Sequence, residues 1–412
     1  MSLVLKVHRG TQQIGGSCIE IAHPAGDRIV LDAGRPLDAP DGATGLLPTS
    51  LDRTQPTTVL ISHPHQDHWG LVDELPREWP IWTGEGSAKL IAITGDIMRR
   101  PISGSFNTWS SRSGPFAIGP FTVTPMLTDH SAYDAYMLLI EGGRKRILYT
   151  GDFRRHGRKS TLVDAIIDKP PADIDVLLTE GTNLGSDKPI KSETDLETDF
   201  VGLFARTKGR VFVAWSGQNI DRTVTLYRAA KRTGRNLAID LYTADVLDRI
   251  SEGTGLPRAG YPNLDVVVTG GLSRNYRRQG REDFVKRMVP HGISAKRLEG
   301  GRHVVMLRRA LIQDYVRAGV VPSADDAFNF SMWKGYLSEP YHSEPLEWCR
   351  SGGAEIAYLH TSGHASAADL RAFANAVRPK YVVPVHGVKW DEESYGFGLV
   401  RRLSDAECMM VD

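Results

Sequence analysis

One stretch constrains this chain more than any other: Val59-Leu60-Ile61-Ser62-His63-Pro64-His65-Gln66-Asp67-His68-Trp69-Gly70. A short apolar run of this kind reads as a buried strand, and it ends in three histidines and one aspartate. Alternation along an extended segment puts His63 and His65 on one face. The turn that follows brings Asp67 and His68 round from the other side. Neutral imidazoles and carboxylates are the usual ligands of zinc-like cations. Four such donors at the end of one strand read as part of a two-metal cradle, whose remaining ligands must come from elsewhere.

The rest of the chain offers those ligands at other strand ends. Leu3 to Val7, Ser17 to Ile21 and Ile29 to Asp32 form a meander by alternation, with Gly15-Gly16 and Pro24-Ala25-Gly26-Asp27 as turns. A helix is expected from Ser87 toward Met98, stopped by Pro101. Strands return at Phe121 to Pro125, Tyr136 to Ile140, Ile147 to Thr150 and Val176 to Thr179. His130 follows the first of these, Asp152 the third and Glu180 the last. Near the C-terminus, Tyr381 to Val385 leads into His386.

After Glu180 the rhythm changes to alternating helix and strand, which predicts an α/β unit with a parallel sheet. Ser192-Glu193-Thr194-Asp195 is a capping box opening a helix toward Thr207. Strands are expected at Val211 to Trp215, Leu237 to Asp240, Leu264 to Thr269 and Ile356 to His360. Ser366 caps a helix that ends before Pro379.

Charge follows the same division. The 412-residue chain has a formal net charge of +1, which excludes a global nucleic-acid footprint. Residues 183–358 nevertheless hold 26 Lys/Arg against 21 Asp/Glu. The excess gathers at Arg274-Asn275-Tyr276-Arg277-Arg278-Gln279-Gly280-Arg281, either a solvated face or a surface that tracks phosphates and stacks on a base through Tyr276. Three scattered cysteines argue against a disulfide framework and suit a reducing cytosol. No apolar run has the length of a membrane helix, and the first residues are too strand-like for a signal peptide. A soluble cytoplasmic protein is expected. His8, His23, His156, His291, His303, His342 and His360 lack a ligand-like setting.

His63-Pro64-His65-Gln66-Asp67-His68 resembles the His-x-His-x-Asp-His motif of the metallo-β-lactamase fold superfamily. Asp32 in Leu31-Asp32-Ala33-Gly34 resembles its first-strand aspartate, and His130 and Asp152 fall at its third and fourth motifs. Glu180, His364 in Ser362-Gly363-His364-Ala365-Ser366, and His386 in Pro384-Val385-His386-Gly387 resemble the three β-CASP motifs of nucleic-acid-processing members. Glu180-Gly181-Thr182-Asn183 and the loop Ser216-Gly217-Gln218-Asn219-Ile220-Asp221-Arg222 lean toward the ribonuclease J branch, in a short form without its C-terminal domain.

The resemblance implies an α/β fold: a metallo-β-lactamase αββα sandwich over 1–182 and 359–412, interrupted by an inserted α/β β-CASP domain over 183–358. It implies two divalent ions, zinc or alternatively manganese. His63, His65 and His130 would hold one, Asp67, His68 and His386 the other, and Asp152 would bridge them. Asp32 and Glu180 would orient ligating imidazoles. His364 would donate to a phosphate oxygen or protonate the leaving 3′ oxygen. Ser362, Ser366, Asn219 and Arg222 would bind a neighbouring phosphate. The function implied is hydrolysis of single-stranded RNA by a hydroxide that two metals activate, with a homodimer allowed and no membrane partner. The alternatives are a single-stranded DNA nuclease of the same fold and a catalytically silent scaffold in a nucleic-acid-processing complex.

Overall fold

A computed structural model of the chain describes all residues except Met1, Arg99, Pro101, Ser103, Gly104 and Asp187. The helix stop expected at Pro101 therefore lies outside the described residues. The chain forms two compact units, Met1–Pro189 with Gly363–Asp412, and Ile190–Ser362.

Two sheets build the first unit. One has seven strands in the order Cys408–Val411, Leu3–Arg9, Cys18–Ala22, Arg28–Leu31, Thr58–Leu60, Ile81–Gly84 and Asn107–Trp109. The other has six, in the order Tyr381–Pro384, Val176–Thr179, Lys145–Tyr149, Tyr136–Gly142, Phe121–Leu127 and Phe116–Ile118. Strand alternation sends Leu3, Leu5, Val7, Ile19 and Leu31 from one sheet against Val123, Leu138, Ile140, Ile147 and Leu178 from the other. The opposite faces are covered as well. Val30, Val59 and Ile61 pack on Ile91 of the helix Glu85–Met98. Met137, Leu148 and Leu177 pack with Val163 of the helix Ser160–Asp168 and with Leu370, Phe373 and Val377 of the helix Ala367–Val377. Sheets covered on both faces need unbroken apolar strands, which is why Tyr136–Gly142 reads YMLLIEG rather than alternating. The result is an αββα sandwich.

Strand direction positions the donors. Lys145–Tyr149, Val176–Thr179 and Tyr381–Pro384 run parallel, so their carboxyl ends lie side by side. Those ends deliver Asp152, Glu180 and His386. In the other sheet Arg28–Leu31 and Thr58–Leu60 are also parallel, and they deliver Asp32 and His63.

The second unit is a seven-stranded sheet whose pairings are all parallel, in the order Gly292–Ile293, Leu264–Val267, Asn236–Asp240, His303–Met306, Val211–Ala214, Ala327–Phe330 and Glu355–Ala357. The capping box at Ser192 forms: its Oγ accepts from the Asp195 N–H at 3.1 Å, opening the helix Glu193–Arg206. The strand expected at Ile356 to His360 stops at Ala357. The Leu359 amide there donates to the Asn329 side chain at 2.6 Å, which breaks the ladder.

Both boundaries lie further along than expected. Asn183 Nδ2 donates to the carbonyls of His364 and Ala365 at 2.9 and 3.0 Å, and Leu184 sits in the core of the first unit. Thr361 donates to the Lys191 carbonyl at 2.5 Å, which keeps residues 359–362 with the second.

Candidate metal centre

Asp32 anchors one wall of the site. It is fully buried and has a φ of 60°, a left-handed conformation that aspartate tolerates better than most residues. Its carboxylate accepts from the Ser62 N–H at 2.7 Å, the Ser62 hydroxyl at 2.9 Å, the Tyr149 hydroxyl at 2.6 Å and His68 Nδ1 at 2.7 Å. Because a carboxylate only accepts, His68 holds a proton on Nδ1, and in its neutral form it presents a bare Nε2. Ser62 has given its one proton to Asp32, so it accepts from His63 Nδ1 at 3.0 Å, and His63 also presents Nε2. The same logic holds elsewhere. His130 Nδ1 donates to the Gly363 carbonyl at 2.7 Å. Thr182 Oγ1 lies 3.0 Å from His386 Nδ1 and 3.4 Å from the His386 carbonyl, which holds the ring in place. His68, His63 and His130 are thus each held through Nδ1 by a protein acceptor, which in the neutral ring leaves the Nε2 lone pair for a metal.

The Nε2 atoms of His68 and His63 face Asp152. Its Oδ2 lies 3.1 Å from His68 Nε2 and 3.6 Å from His63 Nε2, and its Oδ1 lies 3.6 Å from His386 Nδ1. Both carboxylate oxygens of Asp152, with the Nε2 atoms of His63 and His68, are buried without a well-directed hydrogen bond. Buried polar atoms are almost always satisfied, and orphans of this chemistry fit a cation. His63, His65 and His130 form one group of donors within 4.8 Å of one another, and Asp67, His68, Asp152 and His386 form a second. His130 Nε2 is 3.1 Å from His65 Nδ1, and His386 Nε2 is 3.2 Å from Asp67 Oδ2. These donor sets suit divalent metal ions. A third group joins Asp152 and His386 to Glu180 and His364. Glu180 is already committed there, accepting from the Phe153 N–H and from His364 Nδ1, each at 2.9 Å.

Gly34 makes this closeness achievable. Its amide donates to the Ser17 carbonyl, and a Cβ at that position would fall on the backbone of Asp67. Any side chain there would push the histidine turn away from Asp32.

Residues 12–177 match the family described as the metallo-beta-lactamase superfamily, and residues 353–391 match the Zn-dependent metallo-hydrolase RNA specificity domain. Residues 12–177 thus carry a metallo-β-lactamase domain. It is 23% identical over 404 residues to a ribonuclease J of Helicobacter pylori, covering 92% of this chain and 55% of that one. A ribonuclease J of Mycobacterium tuberculosis is 25% identical over 406 residues, covering 92% and 67%. The chain thus spans about half the length of the Helicobacter relative. A solved structure of a protein of unknown function from Enterococcus faecalis superposes with a TM-score of 0.78 at 18% identity, over the whole of both chains, and so shares the fold.

Electrostatics divide these donors into two groups. Burial, aided by neighbouring imidazoles, holds His63 and His130 well below the usual histidine range. Burial takes His65 down to about 4 against the pull of Asp67 and Asp152. This trio is neutral near pH 7 and ready to ligate. Burial would also lower His68, but Asp152, Asp32 and Asp67 outweigh it and raise it. Burial would raise Asp152, yet His386, His68 and His364 hold it well below the carboxylate range. Burial likewise opposes the lowering of Asp67 by His68 and His386. His364 is raised to about 9, burial being outweighed by Glu180 and Asp152.

The expected phosphate ligands fare differently. Arg222 is fully enclosed in the second unit, donating to Glu193 Oε1 at 3.1 Å and to the Ser331 carbonyl at 3.0 Å. It has no exposed surface for a phosphate, which corrects the expectation. Asn219 caps the helix Ile220–Arg232, its Oδ1 accepting from the Arg222 N–H at 3.0 Å. Ser366 caps the helix Ala367–Val377 through the Asp369 N–H at 3.0 Å. Ser362 is the half-buried last residue of the second unit. The stacking alternative for Tyr276 is also corrected: the ring is buried, with its hydroxyl donating to Asp245 at 2.9 Å, and so offers no face to a base.

Sequence reading missed Ser62 and Thr182, which meet His63 and His386 at Nδ1, Tyr149, which donates to Asp32, and the Gly363 carbonyl, which sets the tautomer of His130. Ser62 adjoins the histidine run and Tyr149 precedes Asp152 on its strand, so proximity to the ligands was their one visible signal.

Proposed function

We propose that this chain is a metal-dependent nuclease that hydrolyses phosphodiester bonds of RNA, preferably single-stranded. The observation that carries the reading is the orphaned carboxylate of Asp152, buried among imidazoles whose Nδ1 protons are fixed elsewhere. His63, His65 and His130 would hold one cation and Asp67, His68 and His386 a second, with Asp152 shared between them. Zinc is the expected metal, with manganese as the alternative. Two such cations would supply the charge that makes a water acidic near neutral pH and polarises a phosphoryl oxygen.

The protein's own groups do the rest. Asp32 and Ser62 keep His68 and His63 in their ligating tautomers. Glu180 holds His364 by Nδ1 and so orients the ring, whose Nε2 would donate to a phosphate oxygen or protonate the departing 3′ oxygen. Ser362, beside this histidine loop in sequence, is the remaining candidate for a neighbouring phosphate. The match of residues 353–391 to an RNA specificity domain, and the ribonuclease J relatives, favour RNA as substrate. A full donor set argues against a silent scaffold. The free cysteines suit a cytoplasmic setting.

The test is incubation of purified protein, supplied with zinc or manganese, with end-labelled single-stranded RNA and DNA of one sequence. RNA should be degraded, and His65→Ala should abolish the activity. Cleavage of DNA with RNA left intact would overturn the substrate assignment. Labels at a 5′-monophosphate and at a 5′-hydroxyl separate attack from the end from internal cutting.

A further inference from the structure

The second unit exposes aromatic rings where a soluble surface ordinarily hides them. Trp333 is 61% exposed, Tyr341 47%, Tyr336 40% and Tyr358 38%. They form a connected set. Trp333 meets Tyr336 edge-on with ring centroids 5.4 Å apart, Tyr336 stacks on His342 at 5.2 Å, and Tyr341 meets His342 at 5.1 Å. Lys334 lies over the Tyr358 ring at 4.1 Å and has no carboxylate partner among the described residues. Gly335 lets the indole of Trp333 lie flat over the backbone, since a Cβ there would collide with that ring. Beside the rings is a cavity of about 200 Å³ lined by Tyr341, His342, Met332, Tyr242 and Arg308. It opens at the carboxyl ends of Val211–Ala214, His303–Met306 and Ala327–Phe330, the edge at which parallel sheets bind ligands. Arg308 is stacked over Tyr242 at 5.1 Å.

An apolar protein partner would match the rings but not a bare cation set among them. Bases joined by phosphates match both, because any base can stack on an aromatic face and each phosphate seeks a cation. We infer that Trp333, Tyr336, Tyr341 and Tyr358, with Lys334 between them, form a stacking platform for successive bases of single-stranded RNA. This inference rests on the RNA reading above. It assigns base contacts to the segment Trp333 to Tyr358 in place of the basic run around Tyr276, whose ring is buried.

The test is fluorescence anisotropy with a labelled single-stranded RNA and full-length protein in chelator, so that binding is read without cleavage. Loss of a stacked base is worth about 1–3 kcal/mol, so Trp333→Ala with Tyr336→Ala should weaken binding roughly ten-fold or more. Trp333→Phe should restore most of the Trp333 share. The exposed positions make misfolding improbable as a cause, and an unchanged thermal midpoint checks this. RNA should also quench the indole emission that Trp333→Phe removes. Unchanged affinity in the double variant, with wild-type protein binding RNA, would overturn the platform and leave the nuclease reading standing. Wild-type protein that neither binds nor cuts RNA would overturn both. A wild-type preference for single-stranded DNA that the variant loses would overturn RNA as the occupant.

Discussion

His68 lies between two carboxylates, with Nδ1 at 2.7 Å from Asp32 Oδ2 and Nε2 at 3.1 Å from Asp152 Oδ2. Asp32 holds a proton on Nδ1, and that contact turns Nε2 toward Asp152. Asp32→Asn keeps the shape and the tolerance for a positive φ while removing the charge. Affinity for zinc should fall about 10–100-fold, read by competition with a chromophoric chelator. An unchanged affinity would mean that the tautomer is set without Asp32.

The pair of Glu180 and His364 gives the metal-free protein a pH signature. His364 sits at about 9 when folded and near ~6.5 when unfolded. A group raised by folding stabilises fully below its unfolded value, and that contribution disappears as pH rises through the folded one. His68 is raised as well and acts in the same direction. The urea midpoint of chelator-treated protein should therefore fall between pH 6.5 and 9, and Glu180→Gln should flatten the decline. A midpoint that rises over that interval would contradict the pairing.

Arg222 supports the second unit rather than the chemistry. Its guanidinium and the Glu193 carboxylate are both fully buried, 3.1 Å apart. Removing one partner of such a pair strands the other, at a cost of about 3–5 kcal/mol. Arg222→Ala should lower the denaturation midpoint while the zinc content stays at the wild-type level. A stable variant that loses metal would reverse this assignment.

These cases show what the sequence could and could not reveal. Donor chemistry is local and distinctive: histidines and aspartates stand out at the ends of apolar strands, and parallel pairing brings those ends together. Burial of a charged or aromatic side chain is not local. Arg222 is enclosed because Glu193 and Ser331 meet it from other elements, and Tyr276 because Asp245 takes its hydroxyl. Written in sequence, both look like surface groups. The central strand His303–Met306 was equally hidden, being only four residues long and preceded by Gly300-Gly301.

The most direct measurement is a calorimetric titration of zinc into chelator-stripped protein, comparing wild type with His65→Ala. Two equivalents should bind the wild type, and the variant should lose the equivalent that His63 and His130 would share with it while keeping the other. A wild-type protein that binds no zinc or manganese, or a variant that still binds two equivalents with unchanged affinity, would contradict the two-cation site around Asp152.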